Sequence, residues 1–220
     1  MRIKNFCFIV LIALFTMLPI KLVANAEENE AKGIILIDPG HGGMDGGAKG
    51  DSGTLEKDIN LTISHKLKER LENDGYKVYL TREDDLELAK GKSSDLELRC
   101  KMKRETNCDV FVSIHQNKFR MEKCFGAQVW YADNAKSGKV ATLIQESLKE
   151  KIDDNNNRLA KPAKQQYKIL RDKYDGASII VECGFISNHK EEKLLNSEEH
   201  QDKIVDGIAC GLDKYFEEKW

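Results

Sequence analysis

Only three prolines punctuate the 220 residues, and no Pro-, Gly- or Ser-rich stretch, internal repeat or low-complexity tract divides them. Nothing resembles an interdomain linker, so the chain reads as one domain. Basic residues are not in excess either, with 35 Lys and Arg against 37 Asp and Glu. Without a positive stripe along any candidate helix, nucleic acid is not an expected partner. No C-x-x-C spacing occurs among the six cysteines. Cys7 lies in an N-terminal apolar run, which leaves Cys100, Cys108, Cys124, Cys183 and Cys210. That odd number excludes a fully paired disulfide framework and a thiolate zinc knot, and the thiols are expected as small buried apolar groups. The G-x-x-x-x-G-K-[ST] loop and the H-E-x-x-H helix are also missing. The stretch Gly40-His41-Gly42-Gly43-Met44-Asp45 has Asp45 where G-x-G-x-x-G needs its third glycine, so nucleotide binding is not expected.

What is present begins with a leader. Arg2 and Lys4 precede an apolar run from Phe6 to Ile20, and Ala24-Asn25-Ala26 is a small-x-small cleavage site. This predicts a secretory signal peptide over residues 1–26 and export across the cytoplasmic membrane. A retained single-span anchor fits less well, because the run is shorter than the roughly 20 apolar residues that cross a bilayer. Cleavage would remove three of the 35 basic residues and none of the 37 acidic ones, moving the formal charge from −2 to −5. Residues 27–220 then form a domain large enough for a full core.

Within that domain, short apolar runs alternate with helical periodicity. Ile34 to Asp38 reads as a strand, and Leu55, Ile59, Ile63, Leu67 and Leu71 recur every four residues along one helical face. Asn73-Asp74-Gly75 ends that helix and Tyr76 to Thr81 resumes a strand. Asp84 to Lys92 is an expected loop, Asp95 to Thr106 a helix, Asp109 to His115 a buried strand and Ala127 to Tyr131 another. Lys136 to Ile152 is a helix, residues 153–157 a turn, Ile169-Leu170 a short strand, Ser178 to Glu182 a strand and Asp202 to Phe216 a closing helix. The alternation predicts an α/β fold, a mostly parallel twisted sheet of about six strands with helices on both faces.

Four residues stand where such sheets place their ligands, beyond the carboxyl ends of the strands. His41, His115 and Glu182 follow or end predicted strands, and Glu56 opens the first helix, where the dipole favours a carboxylate. Singly, each histidine is more often a hydrogen-bonded structural group, and Glu56 no more than a helix-start acid. Glu182 is more telling, since it directly follows Ile179-Ile180-Val181 and burial of an unpaired carboxylate is costly. Two imidazoles and one carboxylate, with a position left open for water, form a catalytic zinc donor set, and a second carboxylate can serve as general base. His65, His189 and His200 lie off the apolar stripes and are expected in solvent. Arg82 and Arg99 could order the site or grip peptide carboxylates, but arginines near strand ends and on helices are more often surface groups, and surface positions are expected for both.

The motifs together resemble the type 3 family of zinc-dependent N-acetylmuramoyl-L-alanine amidases. The likeness is carried by Asp38-Pro39-Gly40-His41-Gly42-Gly43, Glu56-Lys57-Asp58-Ile59-Asn60-Leu61, Leu80-Thr81-Arg82, Val112-Ser113-Ile114-His115-Gln116-Asn117 and Val181-Glu182-Cys183-Gly184-Phe185-Ile186-Ser187-Asn188, in the family's order. The resemblance implies that His41, Glu56 and His115 bind zinc, that Glu182 is the catalytic carboxylate, and that the substrate is peptidoglycan. Two positions depart from the usual pattern: Gln116 stands where alanine is common, and Cys183 occupies a variable place. The absence of a carbohydrate-binding repeat or separate wall-anchoring domain narrows the resemblance toward the CwlD-like germination-specific amidases. That likeness implies action on spore cortex before muramic-δ-lactam is formed, in the cell wall or the forespore intermembrane space, with any accessory protein partner unknown. Two alternatives stay open, a zinc peptidase cutting within the stem peptide and a non-catalytic wall-binding module.

Overall fold

The computed structural model describes residues 31–218. The expected signal peptide lies outside the described residues, and among those described no helix is long and apolar enough to cross a membrane.

Six strands form one sheet: β1 (Ile34–Pro39), β2 (Lys77–Leu80), β3 (Val110–Asn117), β4 (Gln128–Tyr131), β5 (Lys161–Pro162) and β6 (Ala177–Phe185), in the order β2-β1-β3-β6-β4-β5. β2, β1, β3 and β6 are parallel, whereas β4 runs antiparallel to β6. The helices are α1 (Glu56–Asn73), α2 (Lys92–Thr106), α3 (Ala135–Ile152), α4 (His189–Leu195) and α5 (Glu198–Glu217), with one 3-10 turn at Lys168–Leu170.

Strand alternation divides the interior into two layers. Ile35, Ile37, Val110, Val112, Ile179 and Val181 face one side, against α1, α3 and α5. Leu36, Phe111 and Ile180 face the other, where Cys100 of α2 and Ile169 and Leu170 of the 3-10 turn cover them. The α1 stripe of Ile59, Ile63, Leu67 and Leu71 is buried as its spacing predicts. No side chain caps the start of α1, since Leu55 occupies the N-cap. Burying aliphatic side chains at roughly 1.5–3 kcal/mol each outweighs a missing cap worth about 1 kcal/mol, so packing holds this helix. Asn134 caps α3 by accepting from Ser137 N at 2.8 Å. α3 and α5 meet closely because Gly211 has no side chain: a Cβ there would lie 2.6 Å from Ile144 Cα.

The structure departs from the sequence expectation in four places. Ile169-Leu170 is a 3-10 turn rather than a strand. The buried Lys103 ammonium takes the Ile169 carbonyl at 2.6 Å, so that group is not free for a strand ladder. The last strand is instead β5, whose Pro162 has no N–H to offer and sits at the sheet edge accordingly. Residues 189–217 form two helices rather than one beginning at Asp202. Strands β3 and β6 also continue past their expected ends, so His115 and Glu182 lie inside the strands, and His200 is half-buried rather than solvated. All five described cysteines are free, with Cys100, Cys108 and Cys183 buried.

Candidate metal centre and active site

β1 ends at Pro39, and the chain turns sharply over the end of β3. Gly40 N donates to Ile114 O at 3.0 Å. A Cβ on Gly40 would fall 2.3 Å from His115 Nε2, so only glycine lets the loop pass this imidazole. His41 follows with φ +61°, a left-handed conformation that β-carbon sterics disfavour. Two buried arginines hold it there. Arg99 donates to the carbonyls of Pro39 (2.9 Å) and His41 (2.8 Å), and Arg82 to those of Pro39 (2.9 Å) and Gly40 (3.1 Å). Arg99 also meets the buried Asp38 carboxylate at 2.6 Å, which accepts in addition from Thr81 and Ser113 at 2.6 Å each. Burial opposes charge on Asp38, but the Arg99 guanidinium and the two hydroxyls hold the carboxyl below its ordinary range.

Arg82 and Arg99 are therefore not surface groups. For Arg82 the Leu80-Thr81-Arg82 motif carried a usable signal. Arg99 offered only its neighbour Asp95 on the same helix, because the other groups it holds lie about sixty residues away in sequence.

Glu56 enters from the first residue of α1 and is fixed by the backbone. Ala48 N donates to its Oε2 at 2.7 Å and Gln116 N to its Oε1 at 3.0 Å. The imidazoles approach the same carboxylate, His41 Nε2 at 3.2 Å and His115 Nδ1 at 2.9 Å. Their rings stand edge to face, 5.0 Å apart. Burial disfavours charge on Glu56, yet hydrogen bonds from His115 and His41 pull its carboxyl far down, so it is ionised.

One donor atom from each of His41, Glu56 and His115 lies within 4.8 Å of the others, a geometry suited to a cation. The His41 tautomer agrees. Its Nδ1 lies 2.8 Å from Asp45 Oδ2, a bond in which Nδ1–H donates, so Nε2 is the ring atom turned toward Glu56. A nitrogen, nitrogen, oxygen donor set of this kind suits zinc.

Glu182 stands beside His115 in the β3–β6 register and lines the same cavity, about 640 Å³ in volume. The residue is 8% exposed, and Oε2 has no hydrogen-bond partner. Burial pushes its carboxyl up to about 7, with the charge of His115 opposing and that of Glu56 adding. The structure thus gathers all four residues singled out from the sequence into one pocket. Gln116 is buried, and its side-chain amide donates to Asn60 at 3.1 Å, bracing β3 against α1. Cys183 is also buried.

Residues 35–214 match the profile of a family described as N-acetylmuramoyl-L-alanine amidase. The chain is 38% identical over 195 residues to the germination-specific N-acetylmuramoyl-L-alanine amidase of Bacillus subtilis, covering 84% of this chain and 81% of that one. Among solved structures, it resembles the CwlD amidase of Clostridioides difficile in complex with the GerS lipoprotein. There the TM-score is 0.80 and the identity 41%, over 85% of this chain and all of the other (100%). It also resembles the amidase AmiC2 of Nostoc punctiforme, with TM-score 0.74 and 32% identity over 85% of this chain and 98% of that one.

Proposed function

The chain belongs to the N-acetylmuramoyl-L-alanine amidase family, and from that membership we propose a zinc-dependent hydrolysis of the amide joining the lactyl group of N-acetylmuramic acid to L-alanine in peptidoglycan. The observation that carries the chemistry is Glu182, a buried carboxylate without a partner, set beside a His-Glu-His cluster. A purely structural zinc site closes its shell with a fourth ligand and needs no such base.

His41, Glu56 and His115 would hold the ion. When bound, zinc supplies a Lewis acid for the carbonyl and acidifies water. Glu182 takes the proton from the attacking water as its oxygen bonds to the carbonyl carbon. The same carboxyl returns that proton to the nitrogen as the carbon–nitrogen bond breaks, so an amine leaves on the peptide and a carboxylic acid stays on the glycan, releasing its remaining proton to solvent. A carboxyl near 7 suits both roles at neutral pH.

We propose further that residues 1–26 are a cleaved leader, that residues 27–220 are the catalytic domain and that the enzyme works outside the cytoplasmic membrane. Likeness to a germination-specific enzyme and to CwlD supports a role in spore cortex, ahead of muramic-δ-lactam formation. That CwlD was solved with a lipoprotein supports an accessory protein partner here too.

The test is digestion of purified peptidoglycan, with products read by mass spectrometry. Released peptides should begin with L-alanine, whereas a cut within the stem peptide would leave L-alanine on the glycan and sink this reading in favour of a peptidase. Glu182→Gln should retain zinc and lose roughly 100-fold or more in rate. A Glu182→Gln enzyme of near-normal rate would remove Glu182 from the mechanism.

A further inference from the structure

The cavity wall contains Tyr167, a partly buried residue in extended backbone just before the 3-10 turn. Its ring leans on Trp130, with centroids 5.8 Å apart and planes tilted by 57°. No described residue hydrogen-bonds its hydroxyl. Burial, with the negative charges of Glu182 and Glu56, pushes the phenol up to about 12. The hydroxyl therefore keeps its proton at working pH and is available as a donor on the side of the two carboxylates.

The segment that carries Tyr167 is tied to α2 at several points. Lys168 Nζ donates to Ser93 O at 3.1 Å and to Glu97 Oε1 at 2.7 Å. From below, the fully buried Lys103 ammonium donates to Ile169 O at 2.6 Å and Asp172 Oδ1 at 2.7 Å. The same ammonium lies 4.7 Å from the centroid of the Phe111 ring. Breaking a buried charge contact of this kind costs several kcal/mol, so the turn is not a mobile flap. Preorganised donors are what stabilise charge developing on an acyl oxygen, because no reorganisation is needed at the moment of reaction.

Two basic donors in the wall are already committed. Arg99 is spent on Asp38, Asp95 and the carbonyls of Pro39 and His41. Lys168 is held by Glu97. Tyr167 combines a rigid mount, a free hydroxyl and a place in the cavity.

We propose that Tyr167 is a further catalytic residue, its hydroxyl donating a hydrogen bond to the carbonyl oxygen of the scissile amide as negative charge gathers there. This rests on the amidase reading above. No bond of Tyr167 forms or breaks; its proton stays on the phenol while Glu182 carries the transferred one.

Tyr167→Phe tests it, because the ring and its contact with Trp130 remain. On soluble glycan-peptide fragments, kcat should fall about 10- to 100-fold, somewhat below the full loss of an oxyanion donor because the metal shares the charge. KM, zinc content by atomic emission and the thermal midpoint should stay as in the parent. A kcat within about twofold of the parent, or a defect confined to KM, overturns the proposal, since loss of a transition-state contact appears in kcat. A zinc-loaded parent that releases no peptide overturns the amidase reading and this proposal with it. A parent that is active alongside an equally active Tyr167→Phe overturns this proposal alone.

Discussion

His41 is set by the groups packed around it. Asp45 lies 2.8 Å from its Nδ1 and is itself held by Gly47 N at 3.0 Å. A carboxylate behind a metal-binding imidazole fixes the tautomer and raises ligand basicity, and losing one typically costs 10- to 100-fold in metal affinity. Asp45→Ala should therefore weaken zinc binding by about that factor, measured by competition with a chromophoric chelator. Unchanged affinity would mean that the Arg82 and Arg99 clamp alone orients the ring. Direct ligands behave differently: His115→Ala should purify with little zinc, and full occupancy by atomic emission would refute the ligand set. At this scale the motif residues were legible, because a histidine at a strand end and a carboxylate after an apolar run are local signals. Arg99 was not, since its worth comes from carbonyls that only folding brings to it.

Elements place these side chains by how closely they can pack. α3 and α5 touch at Gly211, where an added Cβ would meet Ile144 at 2.6 Å from Cα and 2.8 Å from the backbone N. Gly211→Ala gains about 1 kcal/mol of helix propensity. Overpacking against atoms that cannot rotate away costs about 1–3 kcal/mol, so the net effect should be a lower thermal midpoint. A stabilised variant would show that the helices can separate without penalty. Most elements were legible from period and punctuation, α1 above all. Two of the missed ones share a cause: β5 is two residues long, and the 3-10 turn is shaped by Lys103 from α2, so neither leaves a periodic trace.

For the molecule as a whole, the proposed metal set draws on positions 41, 56 and 115, which meet only in the folded chain. A ligand that binds the native state alone stabilises it, by about 2.7 kcal/mol at a hundredfold excess over Kd. For a domain of this size that corresponds to a rise of roughly 5–10 °C in the thermal midpoint. Zinc added to metal-free protein should produce such a shift, and His41→Ala should abolish it. A midpoint indifferent to zinc would mean that the three residues do not form a metal site.

Read alone, the sequence determined the α/β class, the helix and strand alternation, and the four residues of the pocket, because hydrophobic period and motif chemistry are written in neighbouring positions. Only the tertiary structure decided that Arg82 and Arg99 are buried supports for the His41 loop, that Gln116 braces a helix, and that Tyr167 faces the cavity with its hydroxyl unengaged. Those properties depend on which distant segments pack together, and no local pattern encodes the partner that a side chain will meet across the core.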